Sequence, residues 1–364
     1  MTEEDLNQCG RCQSLPHRLE GAGHLFVWAP IGHSFGKLVA HLRITQRAFD
    51  LRPEAQCVVI HLSGAELLPF AVGVAGATTA EEARAMRVLF KSQGGEPELS
   101  DIPKVGSLQQ FITMSQSGWL VDMLTDGRLT SHFQPIVSAR DTRQVFAHEA
   151  LLRGRERDGT TVAPSRMLQL AREADLLFQL DLAARTSAIR EAARHRLQKP
   201  VFINFSPAAI YDPAYCLRST VAAIRDADIP PHDVVFEIIE SDHTPDVQHL
   251  RSIIHYYRES GFRVALDDLG AGYSSLNLIH QLRPDIVKLD MELIRHIDED
   301  PYKAFITQKL VEIAQKLGIQ TVAEGIETLE ELRWARAHGV DYVQGYLVAR
   351  PQSPPAESTP LIAD

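Results

Sequence analysis

Three stretches decide the fold: Val234-Val235-Phe236-Glu237-Ile238-Ile239, Arg263-Val264-Ala265-Leu266-Asp267-Asp268 and Ile286-Val287-Lys288-Leu289. Each has the length and apolar content of a strand. Between the first two, apolar residues recur at Leu250, Ile253, Ile254 and Tyr257, the three- and four-residue spacing of a helix. A strand, helix, strand rhythm predicts parallel strands joined by crossover helices. Working outward, the rhythm holds from about Thr130 to Pro351, with further strand-like runs at His132–Val137, Val145–Leu152, Val201–Phe205, Thr321–Ala323 and Tyr342–Leu347. Further helical spacing falls at Met167–Ala171 and Phe305–Leu317. Eight runs suggest a closed TIM-like (β/α)8 barrel. The connection between His132–Val137 and Val145–Leu152 is too short for a crossover helix, so these two are expected to pair as a hairpin, giving the barrel one antiparallel strand.

Composition narrows the class. The 364 residues carry 37 Lys and Arg against 47 Asp and Glu, so the net charge is 37 − 47 = −10, which disfavours a surface for nucleic-acid polymers. With 45% hydrophobic and 23% charged residues, disordered, collagen-like and coiled-coil classes drop out. No stretch approaches the roughly 20 apolar residues of a membrane-spanning helix, and Met1-Thr2-Glu3-Glu4-Asp5 is acidic where a signal peptide is basic. Four cysteines are too few for a disulfide scaffold. The expectation is a cytoplasmic protein with no membrane partner.

The acids carry the chemistry. Glu149, Glu237, the pair Asp267-Asp268 and Glu324 each lie at or just past the end of an apolar run. In a β/α barrel those ends converge on one face, where such folds place their chemistry, and Asn204 and Lys288 join them there. Five close carboxylates cannot all stay ionised unpaired, so the pattern points to hard divalent cations, which take oxygen ligands. Asp267-Asp268 suits one acid bridging two ions while its neighbour binds the second, and two ions about 4 Å apart promote in-line displacement at phosphorus. A single acid ending a strand is more often a loop cap; coincidence at four strands is much rarer. Lys288, flanked by Val287 and Leu289, points into the barrel, where an ammonium needs anions. Gly270-Ala271-Gly272-Tyr273-Ser274-Ser275 reads equally as a phosphate cradle or a flexible hinge.

Glu149-Ala150-Leu151-Leu152-Arg153-Gly154 resembles the signature of the EAL domain, the bacterial phosphodiesterase that linearises cyclic di-GMP to pGpG. The likeness runs from about Gly106 to Pro351. It continues through Phe133-Gln134-Pro135-Ile136-Val137, Asn204-Phe205-Ser206-Pro207, Glu237-Ile238-Ile239-Glu240-Ser241, Asp267-Asp268-Leu269-Gly270-Ala271-Gly272, Val287-Lys288-Leu289-Asp290, Ala323-Glu324-Gly325-Ile326-Glu327 and Gln344-Gly345-Tyr346. The resemblance implies that Glu149, Asn204, Glu237 and Asp267 hold a first Mg²⁺ or Mn²⁺. Asp267 would bridge to a second ion that Asp268 also holds. It implies Glu324 as general base, Lys288 as the residue that positions water or neutralises charge on phosphorus, and Glu240 as the brace of the loop after Asp268. Gln134, Arg153 and Gln344 are the implied substrate contacts; the planar fork of Arg153 suits a phosphate or a guanine edge. Homodimerisation through the barrel is implied by the same analogy. Two departures fall at supporting positions: Leu269 stands where the family usually has Phe, and Ile239 where Thr is common.

The boundary of the barrel domain is placed after Pro103, within the Gly-, Pro-, Glu- and Ser-rich stretch Ser92–Pro103. This gives an N-terminal small α/β domain over 1–103, the barrel over 104–352 and a flexible tail over 353–364. The first part offers strand candidates Leu25–Trp28 and Val58–Leu62 and helical stretches Lys37–Leu42 and Ala80–Lys91. It resembles no sensor family and reads as a regulatory module, with the helical pattern Leu108–Leu124 as relay. Cys9-Gly10-Arg11-Cys12 has the spacing of a metal clip or redox pair, which His17, His24 and His33 could complete; two ordinary thiols are the simpler reading. Gly94-Gly95-Glu96 reads as linker. Two functions follow: a metal-dependent cyclic di-GMP phosphodiesterase, or a catalytically silent cyclic di-GMP receptor acting through a protein partner. The full set of acids favours the first.

Overall fold

A computed structural model describes residues 21–92, 94–239, 247–270 and 275–363. The chain divides into two compact units, one formed by residues 21–126 and 165–177, the other by 127–164 and 178–363. This division falls 23 residues beyond the sequence boundary after Pro103.

The second unit is the barrel. Its strands are β6 (Leu129–Ser138), β7 (Val145–Arg155), β9 (Val201–Phe205), β10 (Val234–Ile239), β11 (Arg263–Leu269), β12 (Ile286–Leu289), β13 (Gln320–Ala323) and β14 (Tyr342–Val343). They pair in the order β6-β14-β13-β12-β11-β10-β9-β7, and β6 pairs again with β7 to close the ring; the short β8 (Thr161–Val162) adds to the outer end of β7. β6 is antiparallel to both its neighbours and the remaining ring pairs are parallel. The eight runs, the closure and the single antiparallel strand are therefore as the sequence indicates. Tyr342–Leu347 is shorter than expected because Gly345 packs against Ile326, whose backbone oxygen sits where a Cβ would stand.

Outward-facing strand residues such as Val264, Leu266, Val287 and Leu289 join helix residues such as Ile253, Tyr257 and Val311 in the large core between strands and helices. In the segment 353–364, expected to fray, the described residues make bonds to the barrel. Thr142 and Thr359 exchange hydrogen bonds with the facing backbone, Ile362 N donates to Thr142 Oγ1 (2.9 Å), and Arg336 Nη2 donates to Ile362 O (2.7 Å). Buried Thr359 shows that these bonds are shielded from water.

The N-terminal unit is an antiparallel sheet in the order β2-β3-β1-β4-β5, with β1 Gly23–Trp28, β2 Phe49–Arg52, β3 Cys57–Leu62, β4 Arg87–Lys91 and β5 Gly106–Ser107. Helices Gly32–Ile44, Gly64–Ala77 and Leu108–Gln116 cover one face with Leu38, Leu42, Phe70, Val74 and Phe111. The helical stretch expected over Ala80–Lys91 stops at Ala85, and Arg87–Lys91 becomes a central strand between β1 and β5. Leu108–Leu124 is two helices, broken at Ser117, and the first belongs to this core. The stretch read as linker folds back onto the sheet: Arg52 pairs with Glu96, Lys91 Nζ lies 2.8 Å from Asp101, and Val105 packs on Phe26, Val59 and Leu89.

Candidate active site

The barrel interior is layered. Ile136, Ala147, Phe202, Val235, Ala265, Ile286 and Val322 form a buried apolar cluster, with Tyr342 packed against it, one residue from each of the eight strands. Side chains on a strand repeat their direction every second residue. The next inward positions toward the C-terminal mouth are therefore Glu149, Asn204, Glu237, Asp267, Lys288, Glu324 and Gln344, and on antiparallel β6, Gln134. Glu324 and Gln344 follow the last residues of β13 and β14. They keep the register because Glu324 N donates to Leu289 O (3.1 Å) and Gln344 N to Ala323 O (2.9 Å). An apolar floor thus carries a polar layer of eight side chains.

Lys288 stands at the centre of that layer, 1% exposed. Its Nζ lies 2.6 Å from Glu324, 2.7 Å from Glu237, 3.1 Å from Asp267 and 3.4 Å from Glu149. Glu149 also accepts from Asn204 Nδ2 at 2.9 Å and from Gln344 Nε2 at 2.7 Å. Gln344 in turn donates to Gln134 Oε1 at 3.1 Å, and Gln134 to Ala349 O at 3.1 Å. Asp268 breaks the alternation. Its backbone is left-handed at φ 57°, and the β11–β12 pairing shifts register between Leu266 and Leu269. Asp tolerates that conformation better than most residues. The irregularity lets neighbouring acids face one place: oxygens of Asp267, Asp268 and Glu324 all lie within 4.8 Å of one another.

Electrostatics follow from burial. Desolvation raises Glu237 and Glu324 well above the usual carboxylate range, and neighbouring acids add to it. Asp267 is raised for the same reasons, and burial with Asp267 alongside lifts Asp268 to about 6. Burial opposes ionisation of Glu149 as well, but Lys288, Gln344 and Asn204 outweigh it and hold this carboxyl below its ordinary value. Burial disfavours a charged Lys288, yet the surrounding acids keep it an ammonium.

This donor set fits divalent cations. Five carboxylates face one lysine, and Glu237 Oε2 and Gln344 Oε1, both buried, have no hydrogen-bond partner among the described residues. A buried acceptor without a donor is costly, and a hard cation satisfies it. Arg153 lies on β7 opposite Thr130, partly buried, with Nη1 donating to Leu152 O at 2.8 Å. Burial lowers its guanidinium pKa against the pull of Tyr346 and Glu149. Glu240 lies outside the described residues, as do Ala271–Ser274 of the loop and Cys9, Cys12 and His17 of the proposed clip. His24 packs edge-on against His61, ring centroids 4.1 Å apart, and His33 is exposed on its helix. Leu269, the smaller stand-in for Phe, is fully buried in the outer core.

Sequence reasoning missed a brace beneath Asn204. On helix Leu177–Arg194, buried Asp181 accepts from Ser206 N at 2.8 Å, just past β9. Arg185 Nε donates to the other oxygen of Asp181 at 2.9 Å, and Arg185 also bonds Thr220. The available signal was an acid and a base at i, i+4 on a helix whose buried stripe contains both.

A model of the EAL domain matches residues 117–351. The chain belongs to the EAL domain family. The EAL region is 32% identical over 238 residues to an Escherichia coli protein named probable cyclic di-GMP phosphodiesterase PdeB, a match covering 64% of this chain and 44% of that protein. Three such curated relatives are each matched over less than half their length. Among solved structures, a standalone versatile EAL protein from Vibrio cholerae O395 in its c-di-GMP-bound form is 36% identical, with a TM-score of 0.58 over 64% of this chain and 95% of that one. Klebsiella pneumoniae BlrP1, in a manganese/cy-diGMP complex, is 21% identical with a TM-score of 0.56 over 91% of this chain and 96% of that one; this is a likeness of fold alone.

Proposed function

We propose that this chain hydrolyses cyclic di-GMP to linear pGpG with two divalent cations, Mg²⁺ or Mn²⁺, in the EAL barrel. The observation that carries the reading is the single inward layer in which four carboxylates surround Lys288 on an apolar floor, with Asp268 beside them. Membership of a family whose relatives are named for cyclic di-GMP hydrolysis supports the choice of substrate.

Glu149, Asn204, Glu237 and Asp267 would hold one ion, and Asp267 with Asp268 the other. When bound, such ions supply Lewis acidity toward a phosphoryl oxygen and toward the attacking water. Glu324, its carboxyl held above the usual range by burial, is suited to accept a proton from that water as general base. Lys288, 2.6 Å from Glu324, fixes that carboxylate and offsets the negative charge that gathers on the phosphoryl oxygens. Water adds to phosphorus, its proton passes to Glu324, and the 3′ oxygen leaves and is protonated, opening the ring. Gln134, Arg153 and Gln344 contact the dinucleotide, and Glu240 braces the loop after Asp268. The N-terminal unit adjusts the rate, and a homodimer through the barrel, working in the cytoplasm, is the form in which this happens.

The discriminating variant is Glu324→Ala. We expect turnover to fall by about 10²–10⁴-fold, the range for loss of a positioned acid or base, while cyclic di-GMP binding measured by calorimetry stays within a few-fold. Equal loss of binding and turnover would remove Glu324 from its role as base.

A further inference from the structure

We propose that the end of the barrel opposite the carboxylates binds a small phosphate-bearing anion in a basic cavity between helices Val247–Glu259 and Ser275–Leu282. The cavity holds about 400 Å³ and is lined by Arg251, His255, Arg258, His280 and Arg283 with Ile254, Gln281 and Leu282. Barrel helices run back against their strands, so the C-terminal ends of these two helices lie at the strand N-termini, away from the mouth that carries Lys288.

Among the described residues no Asp or Glu lines this cavity, in a chain with 47 acids against 37 bases. Arg251, His255 and Arg258 stand at i, i+4 and i+7, one stripe of a helix that faces the cavity. Part of it has a structural use: Arg258 Nη1 donates to Leu282 O at 3.1 Å, its other nitrogen bonds Arg283 O, and Asp285 lies 3.9 Å away. That is a cation closing the C-terminal end of the neighbouring helix. His255 sits 3.1 Å from Glu259. Arg251, His280 and Arg283 remain, exposed and with no side-chain hydrogen bond or ion pair among the described residues. Arg251 lies two turns from the end of its helix, too far for the helix dipole to explain it.

Guanidinium forks on two sides of a concave site match the oxygens of a phosphate group, which accept paired hydrogen bonds. His280 and Arg283 also line an adjoining cavity of about 820 Å³ whose walls include Leu276, Ile279 and Ile313, with Arg263 and Asp285. It leaves room for the remainder of such a molecule.

The test is calorimetry of the full chain with inorganic pyrophosphate in EDTA, which removes the cations that phosphate binding at the carboxylate layer requires. The expected result is saturable binding in EDTA, weakened at least tenfold in the Arg251→Gln/Arg283→Gln double variant with an unchanged circular dichroism spectrum. Arg251→Gln alone, at an exposed position, is expected to weaken binding severalfold and serves if the double variant fails to fold. No saturable binding in EDTA, or binding that ignores these substitutions, would overturn the proposal. Because no cation is present, the outcome is independent of whether the chain hydrolyses cyclic di-GMP.

Discussion

Lys288 has four carboxylates within 3.4 Å of its Nζ and is almost wholly buried, so its charge and theirs are mutually dependent. Removing one partner of a buried ionic set leaves uncompensated charge, at a cost of about 3–5 kcal/mol. Lys288→Ala should therefore destabilise the chain in EDTA by roughly that amount in denaturant titration, and Mg²⁺ should recover part of the loss by neutralising the same acids. An unchanged midpoint in EDTA would mean that the acids are protonated and need no cation. Asp268 shows the complementary device at this scale. A left-handed residue and a register shift turn two successive acids toward one place, which regular alternation forbids.

At the scale of elements, the site depends on how β9 ends. Asp181 binds Ser206 N–H while Arg185 holds Asp181, so helix Leu177–Arg194 fixes the strand end that presents Asn204. Asp181→Ala leaves buried Arg185 without its carboxylate, and a loss of about 3–5 kcal/mol is expected from thermal or denaturant unfolding. A loss below about 1 kcal/mol would place the pair among ordinary exposed salt bridges. This brace was not legible from sequence because Asp181 and Ser206 are 25 residues apart and join through a backbone amide, which no motif records. The barrel strands were legible because apolar runs alternate with helical spacing. The polar layer was legible only in part: Glu149, Glu237, Asp267 and Glu324, with Asn204 and Lys288, stood out at the ends of apolar runs, whereas Gln134 and Gln344 entered through a family likeness. Their common register two residues above the apolar floor needs the strand pairings. In the N-terminal unit, Arg87–Lys91 was hidden because it directly follows helical residues with no turn signal between, and its burial on both faces comes from distant strands.

At the scale of the whole molecule, an acidic chain concentrates four acids in one interior layer with Asp268 beside them, and this sets how its stability responds to pH and metal. Without cations, burial raises Glu237, Asp267 and Glu324, and lifts Asp268 to about 6. A group whose folded pKa is raised contributes stability that is full below its unfolded pKa and is lost as pH rises through the folded pKa. For Asp268 that window runs from 3.8 to about 6, and for Glu237 and Glu324 it starts at 4.5 and ends well above it. Glu149, held low, acts in the opposite sense: its contribution is present above the unfolded pKa and is lost as pH falls. Four raised acids stand against this one lowered acid. In EDTA the melting temperature should therefore fall as pH rises from about 5 to about 8, and saturating Mg²⁺ should raise it more at about pH 8 than at about pH 5. A metal-free melting temperature that climbs over this range would contradict the charge accounting of the layer.

The central proposal is that the layer around Lys288 works with divalent cations to open cyclic di-GMP. The most direct measurement is turnover of cyclic di-GMP by the purified full chain, stripped with EDTA and then titrated with Mg²⁺ or Mn²⁺, with the product identified by chromatography. The account predicts no turnover in EDTA and metal-restored formation of pGpG. Turnover that persists without metal, or none at any metal concentration, would contradict it.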